Sequence, residues 1–380
     1  MPLMIAPDVR CAATRRNSPR AVAASLLLVL SAGCSDSSQP VVFGLAGPFS
    51  QSYGESMKLG AELGAREINA SGGIAGRPLQ LRALDDHASP ERAIAVAHEF
   101  FSDPAVIAVV GHVNSGTMLE AGGVYSQGLP AMATSATSPA ISRLGPWVFR
   151  AASSDSANAV ELARLARRLT DKTAILYEND GYGRGLAGSF RSALEAAGTR
   201  VLSADPYLPT TEDFTPYLER LRQSGVELIF VAGLEEGAAR MIRQARDLGI
   251  DAQFLGGDGL EGLLGMGDLY NGTRVGLLFH TDQSPEARSF AQRFRAEYGR
   301  EADSFAALGY DAVRLMARAA EKGRSRGAVR DYLAEVGSAH PAFDGVTGRI
   351  AFDSNGDPKD KAFAVGTIRS GSITLTEGAR

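Results

Sequence analysis

Cysteine is nearly absent from this 380-residue chain: there are two, Cys11 and Cys34, both in its first tenth. Two cysteines build neither a disulfide scaffold nor a structural zinc cage. Histidine is scarce as well. His87, His98, His112, His280 and His340 are scattered, with no pair at ligand spacing, and each reads as a surface or loop-packing residue. No Walker A sequence, HExxH or GxSxG occurs, which removes the sequence support for nucleotide-hydrolysing, zinc-protease and serine-hydrolase chemistry. Excess positive charge is missing too: 39 basic against 43 acidic side chains leave a net −4, no reason to bind nucleic acid or an anionic membrane surface. No apolar run approaches the ~20 residues that span a bilayer. With no nucleophile, metal set or cofactor motif, the expectation is no catalytic residue, no metal and no cofactor.

The apolar run that does exist stands at the start. Arg10, Arg15, Arg16 and Arg20 precede AVAASLLLVLSA (Ala21–Ala32), and Gly33-Cys34 follows. A basic region, a short apolar stretch and small residues before a cut are the layout of a secretory signal peptide. Cysteine directly after Ser31-Ala32-Gly33 resembles the lipobox of bacterial lipoproteins, which implies acylation at Cys34 after removal of residues 1–33. The family's preferred leucine sits one place early, as Leu30. Residues 34–40 read as a lipid-anchored tether. The leader's four arginines and one aspartate carry +3, so its loss turns −4 into −7. The expected location is outside the cytoplasmic membrane, held by a lipid.

Hydrophobic residues at 44% and charged residues at 22% suit a globular body. Short apolar runs alternate with amphipathic stretches: VVFGLA (Val41–Ala46), LQLRAL (Leu79–Leu84) and VIAVV (Val106–Val110), each followed by a helical pattern. Met57, Ala61, Ala65 and Ile68 mark one helix face, and Ser89-Pro90 opens another helix. The rhythm restarts after Arg150, with a helix near 156–169 and the strand TAILYE (Thr173–Glu178). Helices near 186–197, 213–223 and 235–248 then lead to strands RVLSA (Arg200–Ala204), ELIFVAG (Glu227–Gly233) and QFLGG (Gln253–Gly257). Apolar strands separated by helices of this length predict parallel sheets covered on both faces, in two series. GxGxxG occurs at Gly183–Gly188 and at Gly257–Gly262. The first lies too far past its strand, and further glycines follow the second, so neither reads as a dinucleotide fingerprint. Asp85-Asp86 reads as a solvated turn.

The segments VVFGLAGPFSQSYGESMKLGAELGAREINASGGIAGRPLQL, GHVNSGT, ATSATSP, YENDGYGRGLAGSF and FLGGDG, in this order, resemble the leucine/isoleucine/valine-binding proteins of ABC importers. The resemblance runs from Val41 to the C-terminus. It implies two Rossmann-like doubly wound α/β lobes joined by a three-stranded hinge, the type I periplasmic binding protein fold. The N-terminal lobe is then 41–150 plus 281–360, and the C-terminal lobe 151–280 plus 361–380. It further implies a monomer that captures an amino acid or related small zwitterion between the lobes and serves permease and ATPase subunits. Residue by residue, Ser115 matches the hydroxyl at a helix start that meets the ligand carboxylate. Ser135, Ala136 and Thr137 match further partners of the zwitterion, Tyr182 the second-lobe aromatic, and Asp258 the acid that receives the ammonium. Tyr53 matches the aromatic at the side-chain end of the pocket. Asn114 and Leu234 depart from the branched-chain pattern, the second replacing an aromatic. The alternative reading is a sensor of the same fold that binds a small amide or an aromatic acid.

Overall fold

A computed structural model describes residues 39–361 and 363–376. The leader, Cys11 and Cys34 lie outside the described residues. The first half of the chain builds one parallel sheet from β1 (Val41–Gly47), β2 (Leu79–Asp85), β3 (Val106–Val110), β4 (Ala131–Ala133) and β5 (Val148–Arg150), in the spatial order β2-β1-β3-β4-β5. Its inner strands β1, β3 and β4 are apolar along nearly their whole length because both faces are covered, whereas the edge strand β2 is only partly buried. Helix α1 (Ser52–Ala70) lies on one face, with α2 (Pro90–Ser102) and α3 (Ser115–Tyr125) on the other. Ser89 caps α2 by accepting from Arg92 N–H at 3.2 Å, with Pro90 at the first helical position.

The second half repeats the plan. Helix α4 (Asp155–Leu169) leads to β6 (Thr173–Glu178), α5 (Gly181–Ala196) to β7 (Ala204–Tyr207), α6 (Thr215–Gln223) to β8 (Leu228–Ala232), and α7 (Glu235–Asp247) to β9 (Gln253–Gly256) and β10 (Arg274–Leu277). Helices α8 (Pro285–Tyr298), α9 (Ser304–Lys322) and α10 (Arg326–Ala334) then return to the first sheet, beside α1. A small hairpin, β11 (Phe343–Gly345) with β12 (Gly348–Ile350), precedes β13 (Ala364–Arg369) and β14 (Ser372–Leu375), which join the second sheet antiparallel at β10. That sheet runs β14-β13-β10-β9-β8-β6-β7. The chain therefore passes between the two layered halves three times, after Arg150, after Leu277 and after Ile350.

Several local expectations change. The strand read at Arg200–Ala204 stands at Ala204–Tyr207, because the Tyr207 ring fills the core while Leu202 is 48% exposed. Helix α5 starts at Gly181 rather than near 186, since Asp180 caps it by accepting from Gly183 N–H at 2.7 Å. The first GxGxxG thus lies within a helix, and the second opens a 3₁₀ segment at Asp258–Met266. Asp86 is no solvated turn. It is fully buried, accepts from Ala88 N–H at 2.9 Å, and contacts His112 Nδ1 at 2.6 Å, while His112 Nε2 meets the Tyr125 hydroxyl at 2.9 Å. This closed chain of polar groups braces the segment after β3 from behind.

Candidate functional site

Both sheets share one strand order, in which the neighbours of the first strand lead away in opposite directions. Loops at the carboxyl ends of β1 and β3, and of β6 and β8, therefore splay apart and leave a crevice, the place where open α/β sheets bind ligands. The two crevices face each other across one cavity. Its narrow end, about 20 Å3, is lined by Tyr53, Val113, Asn114, Ser115, Ser135, Tyr182, Leu234, Asp258, Gly259 and Phe305. It adjoins a wider cleft of about 520 Å3, with Tyr53, Asn114 and Leu234 common to both.

The first-sheet wall is built from hydroxyls and a helix start. Asn114 is the N-cap of α3 and does not use its side chain as a cap. Instead its amide donates to the Tyr53 hydroxyl at 3.1 Å, and the Tyr53 ring leans on Phe305 with centroids 5.4 Å apart. Ser115 begins α3, where unpaired backbone N–H groups favour an anion. Its Oγ accepts from Ser138 N–H at 3.1 Å, and Ser135 Oγ donates to Val113 O at 3.2 Å. These bonds join the β3–α3 loop to the loop after β4.

The opposite wall is acidic. The Tyr182 hydroxyl donates to Asp258 Oδ1 at 3.1 Å and accepts from Gly259 N–H at 3.1 Å. Burial pushes the Asp258 carboxyl up to about 6, the bond from Tyr182 opposing it in part. Glycine at 257 and at 259 is what lets this ring in: a Cβ at Gly257 would stand 2.6 Å from the Tyr182 hydroxyl, and one at Gly259 2.9 Å from the ring.

Of the residues singled out by sequence, Tyr53, Asn114, Ser115, Ser135, Tyr182, Leu234 and Asp258 meet at the narrow end. Ala136 and Thr137 do not line it; both are buried behind the wall. The Thr137 carbonyl is occupied by Asp155 N–H at 2.9 Å and by Arg150 Nη1 at 3.0 Å. Arg150 is completely buried, and it also donates to Ser138 O at 3.1 Å, to Ser142 Oγ at 2.6 Å and to Asp357 Oδ1 at 2.6 Å. It thereby ties the loop after β4 to the third crossing.

The model for the periplasmic binding protein family matches residues 40–372. The chain belongs to that family. It is accordingly an exported solute-binding protein and not an enzyme. It is 30% identical over 328 residues to the leucine-, isoleucine-, valine-, threonine- and alanine-binding protein of Pseudomonas aeruginosa, covering 84% of this chain and 87% of the relative. Among solved structures it is similar to an ABC transporter substrate-binding protein from Desulfitobacterium hafniense in complex with Leu, at 30% identity and a TM-score of 0.78, covering 89% of this chain and all of the other. It is also similar to the branched-chain amino acid transporter substrate-binding protein of Streptococcus pneumoniae in complex with isoleucine. There the identity is 27% and the TM-score 0.81, covering 89% and 99%.

In this periplasmic binding protein, sequence reasoning passed over a second buried acid. Asp155, at the start of α4, is 1% exposed, and neither carboxylate oxygen has a hydrogen-bond partner among the described residues. Burial and the neighbouring Asp258 charge hold it well above the usual carboxylate range, with the Arg150 charge offsetting part of the rise. In sequence it looks like any acid in a first helical turn. Its position just after the first crossing is the only cue.

Proposed function

We propose that this protein captures an amino acid, or a related small zwitterion, between two lobes and delivers it to the permease and ATPase subunits of an ABC importer. The observation that carries the reading is the polarity of the two walls. An α-carboxylate suits the α3 start with Ser115 and Ser135, and an α-ammonium suits Asp258 beside the Tyr182 hydroxyl, with the buried Asp155 carboxyl near Asp258. An unpaired buried carboxylate costs free energy that a ligand ammonium offsets, and a zwitterion makes this contact together with its carboxylate contacts at the α3 start only when the two walls close on it. The ligand thus binds the closed arrangement better than the open one and shifts the equilibrium between them. The lobes are residues 41–150 plus 281–360 and 151–280 plus 361–380, hinged at the three crossings. The names of the relatives make leucine, isoleucine, valine, threonine and alanine the first ligands to try. We assign the membrane anchor to an acyl chain on Cys34 and take the binding unit to be a monomer.

A thermal-shift screen of residues 35–380 against amino acids, amides and aromatic acids tests the capture. A ligand at a hundred times Kd stabilises the native state by about 2.7 kcal/mol. Silence from every amino acid, with a response to an acid that lacks an ammonium, overturns the zwitterion reading in favour of an aromatic-acid or amide sensor.

A further inference from the structure

Away from the three crossings, two hydrogen bonds join the halves among the described residues, and both end on a carboxylate of the second half. The Ser52 hydroxyl donates to Glu235 Oε1 at 3.3 Å, and Ser304 N–H donates to Glu261 Oε1 at 3.1 Å. Ser304 opens α9. Asp303, the N-cap of that helix, accepts from Ala306 N–H at 2.8 Å and from the Ser56 hydroxyl at 2.7 Å. Glu261, carried by the 3₁₀ segment at Asp258–Met266, thus reaches the first turn of a helix that already holds a carboxylate.

The contact is incomplete for two ionised acids. Glu261 Oε2 and Ser304 Oγ are both buried, and neither has a hydrogen-bond partner among the described residues. The charges that act on Glu261 share its sign: Asp303 from α9 and Asp258 from its own segment. Glu235 of α7 lies against the next residue, where a Cβ at Gly262 would stand 2.7 Å from the Glu235 carboxyl carbon. Arg300, before α9, offsets part of the Asp303 charge and is itself paired with Glu55 of α1 at 3.1 Å. Arg274 of β10, the strand packed against the segment, gives its guanidinium to Gln253 Oε1 at 2.9 Å. Burial first, and the Asp303 charge next, hold the Glu261 carboxyl above the usual carboxylate range. The start of α9 favours one anion, and Asp303 fills that place.

A proton on Glu261 answers both defects. It removes the like charge facing Asp303, and it turns an acceptor without a donor into a donor, with Ser304 Oγ and the Asp303 carboxylate as the acceptors of the contact. With the halves apart, Glu261 faces water instead of Asp303 and holds a proton no more tightly than an ordinary glutamate. We propose that closure of the two halves takes up a proton at Glu261, making the Glu261–Asp303 contact a latch that fastens the closed arrangement in acid and loosens it as pH rises. This rests on capture by closure and adds its regulation. The sign follows from linkage: a carboxyl that binds its proton more tightly in the closed arrangement favours closure fully below its ordinary value, and the gain is lost as pH climbs toward the raised one.

Titration calorimetry of the full mature chain with leucine, isoleucine, valine, threonine, alanine and benzoate picks the tightest binder, which is then titrated from about pH 5.5 to 8. Glu261→Gln keeps an oxygen for Ser304 N–H and cannot ionise, so it reproduces the protonated contact at every pH. The ratio of the wild-type Kd to the Glu261→Gln Kd is expected to rise about tenfold or more across this range. Dividing one protein by the other cancels the acids common to both, Asp258 and Glu178 included. Asp303→Asn keeps a capping residue and removes the opposing charge, and its ratio is expected to rise in the same direction by less. A Glu261→Gln ratio that stays flat or falls with pH overturns the latch and leaves capture standing. Should that variant not fold, a flat Asp303→Asn ratio overturns it instead. Binding of benzoate alone strikes the zwitterion reading, and the same ratios with benzoate then decide the latch. Binding of none of the six strikes capture by closure, and the latch falls with it.

Discussion

Asp258 and the buried Asp155 are neighbours but differ in their hydrogen-bond partners. Asp258 has the Tyr182 hydroxyl at 3.1 Å, whereas both oxygens of Asp155 lack a hydrogen-bond partner among the described residues. Asp258→Ala is expected to weaken amino-acid binding by about 2–5 kcal/mol, the usual cost of truncating one member of a buried charge pair. Calorimetry reads it, and an affinity within twofold of wild type removes Asp258 from the site. Asp155→Asn is expected to act in two directions: the ligand-free protein melts at a higher temperature, and amino-acid affinity falls. A buried carboxylate without a partner destabilises the apo fold and becomes useful only with an ammonium beside it. A lower melting temperature together with unchanged affinity would assign Asp155 to the fold alone. Asp258 was legible in the sequence through the motif GGDG. Asp155 was not, because a first-turn acid is ordinary in helices and only the third dimension puts it next to Asp258.

At the scale of elements, the apolar periodicity of α1 identified its buried face, and Met57, Ala61 and Ala65 are indeed buried, with Ile68 half-buried. It could not identify the partner. That is α9, more than two hundred residues away, packed so closely that a Cβ at Gly60 would lie 1.9 Å from Ala306 O and one at Gly309 2.4 Å from Met57 O. Gly60→Ala is therefore expected to lower stability by about 1–3 kcal/mol through overpacking, although alanine is the better helix former. A rise in the chemical-denaturation midpoint would contradict this contact. Arg150 is the corresponding device at the crossings. It is fully buried, and its four donated bonds join the loop at Thr137 and Ser138 to Ser142 and Asp357. Arg150→Met leaves Asp357 and two carbonyls without that donor and is expected to cost about 3–5 kcal/mol, as breaking a buried pair does. A melting temperature equal to that of wild type would show the clamp to be dispensable. From sequence Arg150 marks only the point where the strand–helix rhythm restarts, since burial of a cation is not a property of its own segment.

For the whole molecule, the acids gathered between the two halves set a pH dependence. Burial and Asp180 push Glu178 from 4.5 up to about 7, and burial pushes Asp258 from 3.8 up to about 6. Glu261 and Asp303, which approach each other across the halves, are raised as well, first by burial; Glu261 Oε1 accepts from Ser304 N–H at 3.1 Å. A carboxylate raised on folding binds more protons in the native than in the unfolded chain between its ordinary and its raised value. Its contribution to stability is complete below the ordinary value and is lost as pH climbs through the raised one. The ligand-free protein is thus expected to lose stability from about pH 4.5 to 7, measured as the urea midpoint, and to lose less with an amino acid bound, because an ammonium stabilises the ionised acids. A midpoint that climbs through this window without ligand would refute the account. The alternation of apolar strands with amphipathic helices was enough to determine two series of parallel strands, and the ordered family motifs brought the loops that carry Ser115, Ser135, Tyr182 and Asp258. Such patterns are local: they report which face of a segment is buried and how its ends are capped. Which acids share a cavity, which loops Arg150 clamps, and why Asp86 is core rather than turn were decided by tertiary structure alone. Burial and counter-charge are properties of pairs of residues far apart in the chain, and only the packed arrangement of both sheets brings them within a few ångströms of one another.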